Sequence, residues 1–224
     1  MLDLTKLRIE HATSTLRRLG AINVDAFELK LKNNSKNADQ VVNHLSEARV
    51  ALMFIQNAAR VTMRDCPDLM IEWLGEVFYA EVKHFRRKKQ DEIDDQAMRR
   101  ACGTLVGPLA QTEKLEGRRP YEQICDVACR KKHQYIDGAI NILVIDSASE
   151  SLGLMAKSGA NEYSDEVRNT PHDLELRRLH GIMIINVWGR VAGGFCNVDF
   201  GMTESGFEGM SYDLATALEE IRVG

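Results

Sequence analysis

No apolar run in this chain approaches the roughly 18 residues needed to cross a bilayer, and the opening MLDLTKLRIEH lacks the apolar core of a secretory signal. A cytoplasmic protein with no membrane role is expected. The five cysteines are an odd number without a small-scaffold spacing, which fits reduced thiols better than a disulfide framework. Basic charge is not in excess either. With a formal net charge of −4, any nucleic-acid role must rest on local basic patches. Also missing are a G-x-S-x-G nucleophile turn, the Gly-Lys-Ser/Thr ending of a P-loop and a dinucleotide fingerprint, so the glycines at 189 to 201 carry no nucleotide signature. There is no internal repeat and no low-complexity segment.

What is present suits a globular chain: 44% hydrophobic and 28% charged residues over 224 positions, enough for one well-cored domain spanning 1 to 224. Residues 2 to 19 read as a helix, while NVDAFELKLKN stays ambiguous between a short strand and a helical turn. Asn37, with Gln40 three residues on, resembles a capping box. The helix it opens, over about 38 to 60, carries Val41, Leu45, Ala48, Leu52, Ile55 and Ala59 at three- and four-residue steps. The period then changes to two. Leu69, Ile71 and Trp73 alternate with polar positions, as do Phe78, Ala80 and Val82, and Gly75 separates the two runs as the turn of a hairpin.

Residues 91 to 118 are polar, with helical pieces interrupted by Gly103, Gly107 and Pro108. Pro120 suits the first turn of a helix to about Tyr135. AINILVID and GIMIINVW are short apolar runs of the kind found in doubly covered strands. Helical character at 172 to 179, a late strand after GRVAGGFCNVDFG and a closing helix over SYDLATALEEIRV complete the chain. The order of helix, hairpin, crossover helix and buried strand predicts an α/β fold with a mixed sheet flanked by helices.

A turn centred between Leu74 and Gly75 pairs residues whose numbers sum to 149, which sets Asp68 directly opposite Glu81. Opposed side chains share a face with Cβ atoms about 4.5 to 5.5 Å apart, and Lys83 lies two residues along on that face. Two carboxylates so close repel unless a proton or a cation intervenes, and oxygen ligands on two strands make a seat for Mg2+ or Mn2+. A neighbouring lysine orients or activates an attacking water while a metal stabilises charge developing on phosphate. The set is equipped to hydrolyse a phosphodiester.

Pro67-Asp68, a twelve-residue gap and Glu81-Val82-Lys83 resemble the PD-(D/E)xK, or restriction-endonuclease-like, nuclease superfamily. The resemblance covers roughly half the chain, about 38 to 147, and leaves 150 to 224 as an elaboration. It implies a core of helix, three antiparallel strands, helix and strand. It also implies metal-dependent cleavage, of DNA rather than RNA, with Asp68, Glu81 and the Val82 carbonyl as metal ligands and Lys83 as the water-activating group. It makes Glu47 of the first core helix an additional acid, and Gln96 a polar residue beside the metal that lacks the tyrosine expected after it.

Arg86, Arg87, Lys88 and Lys89 in KHFRRKK, and Lys131 and Lys132 in RKKH, are candidates for backbone-phosphate contacts. Cations near a helix C-terminus also suit the helix dipole. Cys125, Cys129 and His133 recur at four-residue steps but lack a fourth ligand, so buried small side chains explain the cysteines better. Asp146, Ser147 and Ser149 fall at the carboxyl edge of a predicted central strand, in a turn that is either a ligand edge or a hydrogen-bonded connection. His172 and His180 read as structural. An alternative of another class is a catalytically silent module that keeps the fold to bind nucleic acid or a protein partner that supplies targeting. Association with a second copy is compatible with either.

Overall fold

In the computed structural model, the described residues are 4–85, 119–147, 152, 154–187 and 196–221. Three helices come first: α1 (Leu4–Arg18), α2 (Val24–Asn33) and α3 (Ala38–Gln56). Strands β1 (Arg60–Met63), β2 (Leu69–Trp73) and β3 (Glu76–Phe85) follow, then α4 (Pro120–Arg130), a 3-10 turn at Lys132–Gln134 and β4 (Ile140–Ser147). The remainder is α5 (Ala156–Asn169), a 3-10 helix at Leu174–Arg178, β5 (Gly181–Val187), β6 (Cys196–Met202), α6 (Glu204–Gly209) and α7 (Tyr212–Glu220).

The strands form one sheet in the order β1-β2-β3-β4-β5-β6. β1, β2 and β3 run antiparallel, β3, β4 and β5 run parallel, and β6 returns antiparallel to β5. This is the mixed sheet flanked by helices that the order of elements predicts. Alternation along the strands divides the interior in two. Ile71, Phe78, Ala80, Ile142, Val144 and Met183 pack with α1, α2, α3 and α7. Leu143, Ile145, Ile182 and Ile184 pack with α4 and α5 on the opposite face. On that second face Gly159 allows the close approach of α5 to α4, since a Cβ there would lie 2.6 Å from Ile124 Cγ2.

Local chemistry explains the boundaries. The Asn37 side chain accepts from the backbone N–H groups of Asp39 and Gln40, at 3.1 and 3.2 Å, and so caps α3. α3 stops at Gln56, earlier than its apolar spacing suggests, because Ala58 turns the chain at φ 65 and Arg60–Met63 leaves as a strand. NVDAFELKLKN is helical. It buries Val24, Phe27 and Leu31, and its start is tied to β1 by Ile22, which exchanges backbone bonds with Val61 and Met63 at 2.9 and 3.0 Å. The crossover helix ends at Arg130 rather than Tyr135, and the helical character expected at 172 to 179 is a 3-10 helix at Leu174–Arg178. α5 is an element the apolar spacing does not reveal. The expected helical pieces at 91 to 118, and Gln96 and Ser149, lie outside the described residues.

The hairpin register is the one expected. Leu69 pairs with Ala80, Ile71 with Phe78 and Trp73 with Glu76, around a two-residue turn. Leu74 and Gly75 both have positive φ, 54 and 83, as the tight hairpin turn that matches strand twist requires. Among the described residues no helix is long and apolar enough to cross a membrane.

Leu74 is exposed and holds a left-handed conformation that costs an L-residue about 1–2 kcal/mol, whereas asparagine tolerates it. Leu74→Asn is therefore expected to stabilise the protein by about 0.5–1 kcal/mol, read as a higher urea midpoint at unchanged slope. A lower midpoint would contradict the turn geometry.

Candidate active site

β3 is ten residues long and β2 only five. Their pairing ends at Leu69 with Ala80, so the second half of β3 has no strand on its β2 side. The chain entering β2 closes this notch: Arg64 N–H donates to Asp68 C=O at 2.8 Å, folding 64 to 68 into a tight loop. Asp68, the last residue of that loop, turns its carboxylate onto β3, and its Oδ2 accepts the Val82 N–H at 2.9 Å. The N–H and C=O of one strand residue point the same way, so the Val82 carbonyl also faces the notch. Asp68 thus lies one residue beyond the last paired residues, Leu69 and Ala80, with its carboxylate on the Val82 N–H of Glu81-Val82-Lys83.

Glu47 arrives from α3. Its side chain is buried together with those of Val50, Ala51 and Phe54, which places a carboxylate on an apolar flank. Removing such an ion from water costs on the order of several kcal/mol unless partners are supplied. Two are. His44, one turn earlier, meets Glu47 Oε1 through Nδ1 at 2.7 Å, and its Nε2 lies 3.3 Å from Asn34 Nδ2. Lys30, on α2, donates to Glu47 Oε2 at 3.1 Å and to Asp68 Oδ1 at 3.5 Å. The ammonium of Lys30 therefore joins the two acids.

Glu81 has its own cation. Lys131, at the end of α4, donates to Glu81 Oε1 at 2.7 Å. Three acids with relative exposures of 4%, 6% and 4% (Glu47, Asp68 and Glu81) are thereby matched by lysines from two elements outside the acid-x-lysine motif. Lys83 is half-buried on β3 at the same strand parity as Glu81. Burial drives the Asp68 carboxyl well above its ordinary range, and the negative charges of Glu47 and Glu81 push the same way. The Val82 N–H and Lys30 only partly offset them. Glu81 is raised too, again by burial first, with Lys131 opposing. Lys30 is raised because two carboxylates outweigh the cost of its own burial.

The donors are hard oxygens that need positive charge, so the set fits Mg2+ or Mn2+ in chemical kind. Among the described residues, however, no three His, Cys, Asp or Glu side chains close up as a ready metal group. The lysines stand among them instead.

The other candidates are dispersed. Lys131 is on Glu81 and Lys132 is paired with Asp173, so both basic residues of RKKH that were candidates for phosphate contact hold internal carboxylates. Arg86, Arg87, Lys88 and Lys89 lie outside the described residues. Cys125 and Cys129 place their sulfurs 4.0 Å apart on α4, Cys125 buried and Cys129 half-buried; His133 is paired with Glu175 instead. His180 Nδ1 donates to the Arg178 carbonyl at 2.9 Å and its backbone N–H to the Asn141 carbonyl at 2.8 Å, so it is structural. Asp146 faces α3: it accepts from Ser46 Oγ at 2.5 Å and from Arg49 Nη1 at 2.7 and 2.9 Å, with His84 Nδ1 3.5 Å away. Those bonds make it an anchor of the helix.

Lys30 and His44 are the site residues that sequence reasoning missed. His44 had a signal, because a partner for Glu47 was needed and His44 is one helical turn away. Lys30 had none.

A carboxyl whose pKa is higher in the fold than in the unfolded chain holds its proton more readily when folded. Stability then falls as pH climbs from the ordinary Asp range, about 4, through the raised value. Asp68→Asn removes that titration and keeps an acceptor for the Val82 N–H. In chelator at pH 7 it is expected to raise the melting temperature by about 2–4 °C, equivalent to ~1 kcal/mol, with the gain shrinking toward pH 4. A gain that grows on acidification would reverse the sign of the Asp68 shift.

Comparison with protein-family models, with curated proteins and with solved structures finds no match for this chain.

Proposed function

We propose that the protein is a metal-dependent nuclease of the PD-(D/E)xK type. The observation that carries this reading is that the Asp68 carboxylate takes the Val82 N–H, the middle residue of Glu81-Val82-Lys83, where the hairpin pairing ends, in a notch where Asp68 and Glu81 are both buried. The element order α3, β1, β2, β3, α4, β4 is also the order that the resemblance implies. Asp68, Glu81 and the Val82 carbonyl would hold Mg2+ or Mn2+, with Glu47 as an additional or outer acid. The ion supplies positive charge to a phosphodiester that gains negative charge as it is attacked.

The chain's own groups do the rest. Lys83 holds the attacking water by a hydrogen bond and aligns it with the phosphorus, which is an effect of orientation. His44 fixes the rotamer of Glu47, and the Val82 N–H fixes that of Asp68, so the acids need no reorganisation when substrate arrives. Arg86, Arg87, Lys88 and Lys89 begin three residues after Lys83 in sequence and supply contacts to the phosphate backbone, with DNA the favoured substrate.

The second reading is a silent module that binds nucleic acid or a protein partner. One observation favours it: the three acids are already balanced by Lys30 and Lys131, as in a structural ion-pair network.

Cleavage separates the two. Linear, circular and single-stranded DNA and RNA are incubated with the purified protein and Mg2+ or Mn2+, and with chelator. Metal-dependent cleavage is expected, falling about 100-fold or more in Lys83→Ala and in Asp68→Ala. Cleavage equal in wild type and both variants, or absent with every metal and substrate, removes the nuclease reading. Retained binding without cleavage would leave the silent module.

A further inference from the structure

Lys30 belongs to neither the acid-x-lysine motif nor a basic patch, yet its ammonium takes oxygens from two acids of the notch at once. Nζ is 3.1 Å from Glu47 Oε2 and 3.5 Å from Asp68 Oδ1. Its side chain is 20% exposed, so it stands at the notch wall with a path to solvent. On Asp68, Oδ2 already accepts the Val82 N–H, so Oδ1 is the oxygen that Lys30 and a divalent cation would both seek. A metal ion and an ammonium drawn to the same oxygen repel each other at contact distance, so each weakens the other's hold on Oδ1.

We propose that Lys30 is a further residue of the reaction, an internal cation that competes with the divalent metal for Glu47 and Asp68. The inference rests on the metal-dependent reading above. Seating the metal displaces the Lys30 ammonium toward the mouth of the notch. Its four-carbon stem lets it turn outward without moving α2, which stays tied to β1 through Asn23 Nδ2 and the Met63 carbonyl at 3.0 Å. There it faces the entering phosphate as a positive group. Occupation of the site by a lysine sets a threshold: metal binds weakly until an anionic substrate takes up the displaced ammonium. The reciprocity of binding linkage then requires that substrate tighten metal binding.

The test uses Mn2+ alone, titrated calorimetrically into the whole chain after removal of metal by chelation, for wild type, Lys30→Met, Lys30→Arg and Asp68→Ala. Lys30→Met is expected to bind Mn2+ about tenfold more tightly than wild type, within the usual range of such couplings. Lys30→Arg, which keeps the cation, should stay near wild type, and Asp68→Ala should lose binding. Melting with and without Mn2+ confirms that each variant is folded and should show the larger metal-induced rise for Lys30→Met. Acetylation of Lys30, followed by mass spectrometry, should increase in wild type when Mn2+ is added.

Equal or weaker Mn2+ binding by Lys30→Met, with wild type binding normally, overturns the competition and leaves the metal site intact. No Mn2+ binding by wild type or any variant overturns both. Binding seen in Lys30→Met but not in wild type supports the competition in its strongest form.

Discussion

A carboxylate taken out of water must be met by cations or by N–H groups, and three carboxylates on three different elements are buried around one notch of this protein. That requirement organises the first half of the chain. Asp68 needs the Val82 N–H, which exists as a free donor only because β2 stops at Leu69 while β3 runs on to Phe85. Glu47 needs His44 and Lys30, which ties α2 to the middle of α3. Glu81 needs Lys131, which fixes where α4 can end. Removing any one partner leaves an uncompensated buried charge, so the helices and the hairpin are held in mutual register by their electrostatics as well as by apolar packing.

Packing alone would leave the rotation of α3 loosely defined, because its apolar residues cover much of its circumference. Ser46 and Glu47 are neighbours that point to different polar partners. Ser46 bonds Asp146 near the end of β4, and Arg49 bonds the same carboxylate. Burial raises the Asp146 pKa, but His84, Arg49 and Ser46 more than offset it and hold the carboxyl below its ordinary range. With Ser46 fixed over β4, the next residue, at about 100° around the helix, is turned toward β2 and the notch. The Asp146 anchor and the candidate site are therefore parts of one geometric constraint, though they meet no common atom.

Much of this was legible in the sequence. The strand period, together with Gly75, set the turn, and the turn set the pairing of odd with even numbers that runs to Leu69 and Ala80, one residue short of Asp68 and Glu81. That inference needs no tertiary information, because pleat alternation is local. Asn37 announced the start of α3 in the same local way. The failures share another cause. NVDAFELKLKN has Val24, Phe27 and Leu31 at helical steps but Leu29 between them, and Leu29 is exposed, so only the fold distinguishes the period. Arg60–Met63 continues the apolar spacing of α3, and its identity as a strand depends on its long-range pairing with β2 and on the bridge from Ile22. α5 is amphipathic around small residues, Ala156, Gly159 and Ala160, that carry little hydrophobic signal by themselves. Lys30 is the extreme case. It is one of two lysines in ELKLKN, and what separates it from Lys32 is a contact with Asp68, 38 residues away.

The strands that lie beyond the core add width on the side away from the notch. β5 and β6 extend the sheet past β4, whereas the acids gather at the β2–β3 end. Their apolar faces complete both interior layers, with Met183 and Ile185 on one side and Ile182 and Ile184 on the other. β4 is thereby covered on both faces and paired on both edges. A strand so enclosed cannot shift its register, since a one-residue slip would exchange Val144 with Ile145 and carry Asp146 away from α3. The C-terminal elements thus stabilise the notch from a distance, by holding still the strand against which both β3 and α3 are aligned.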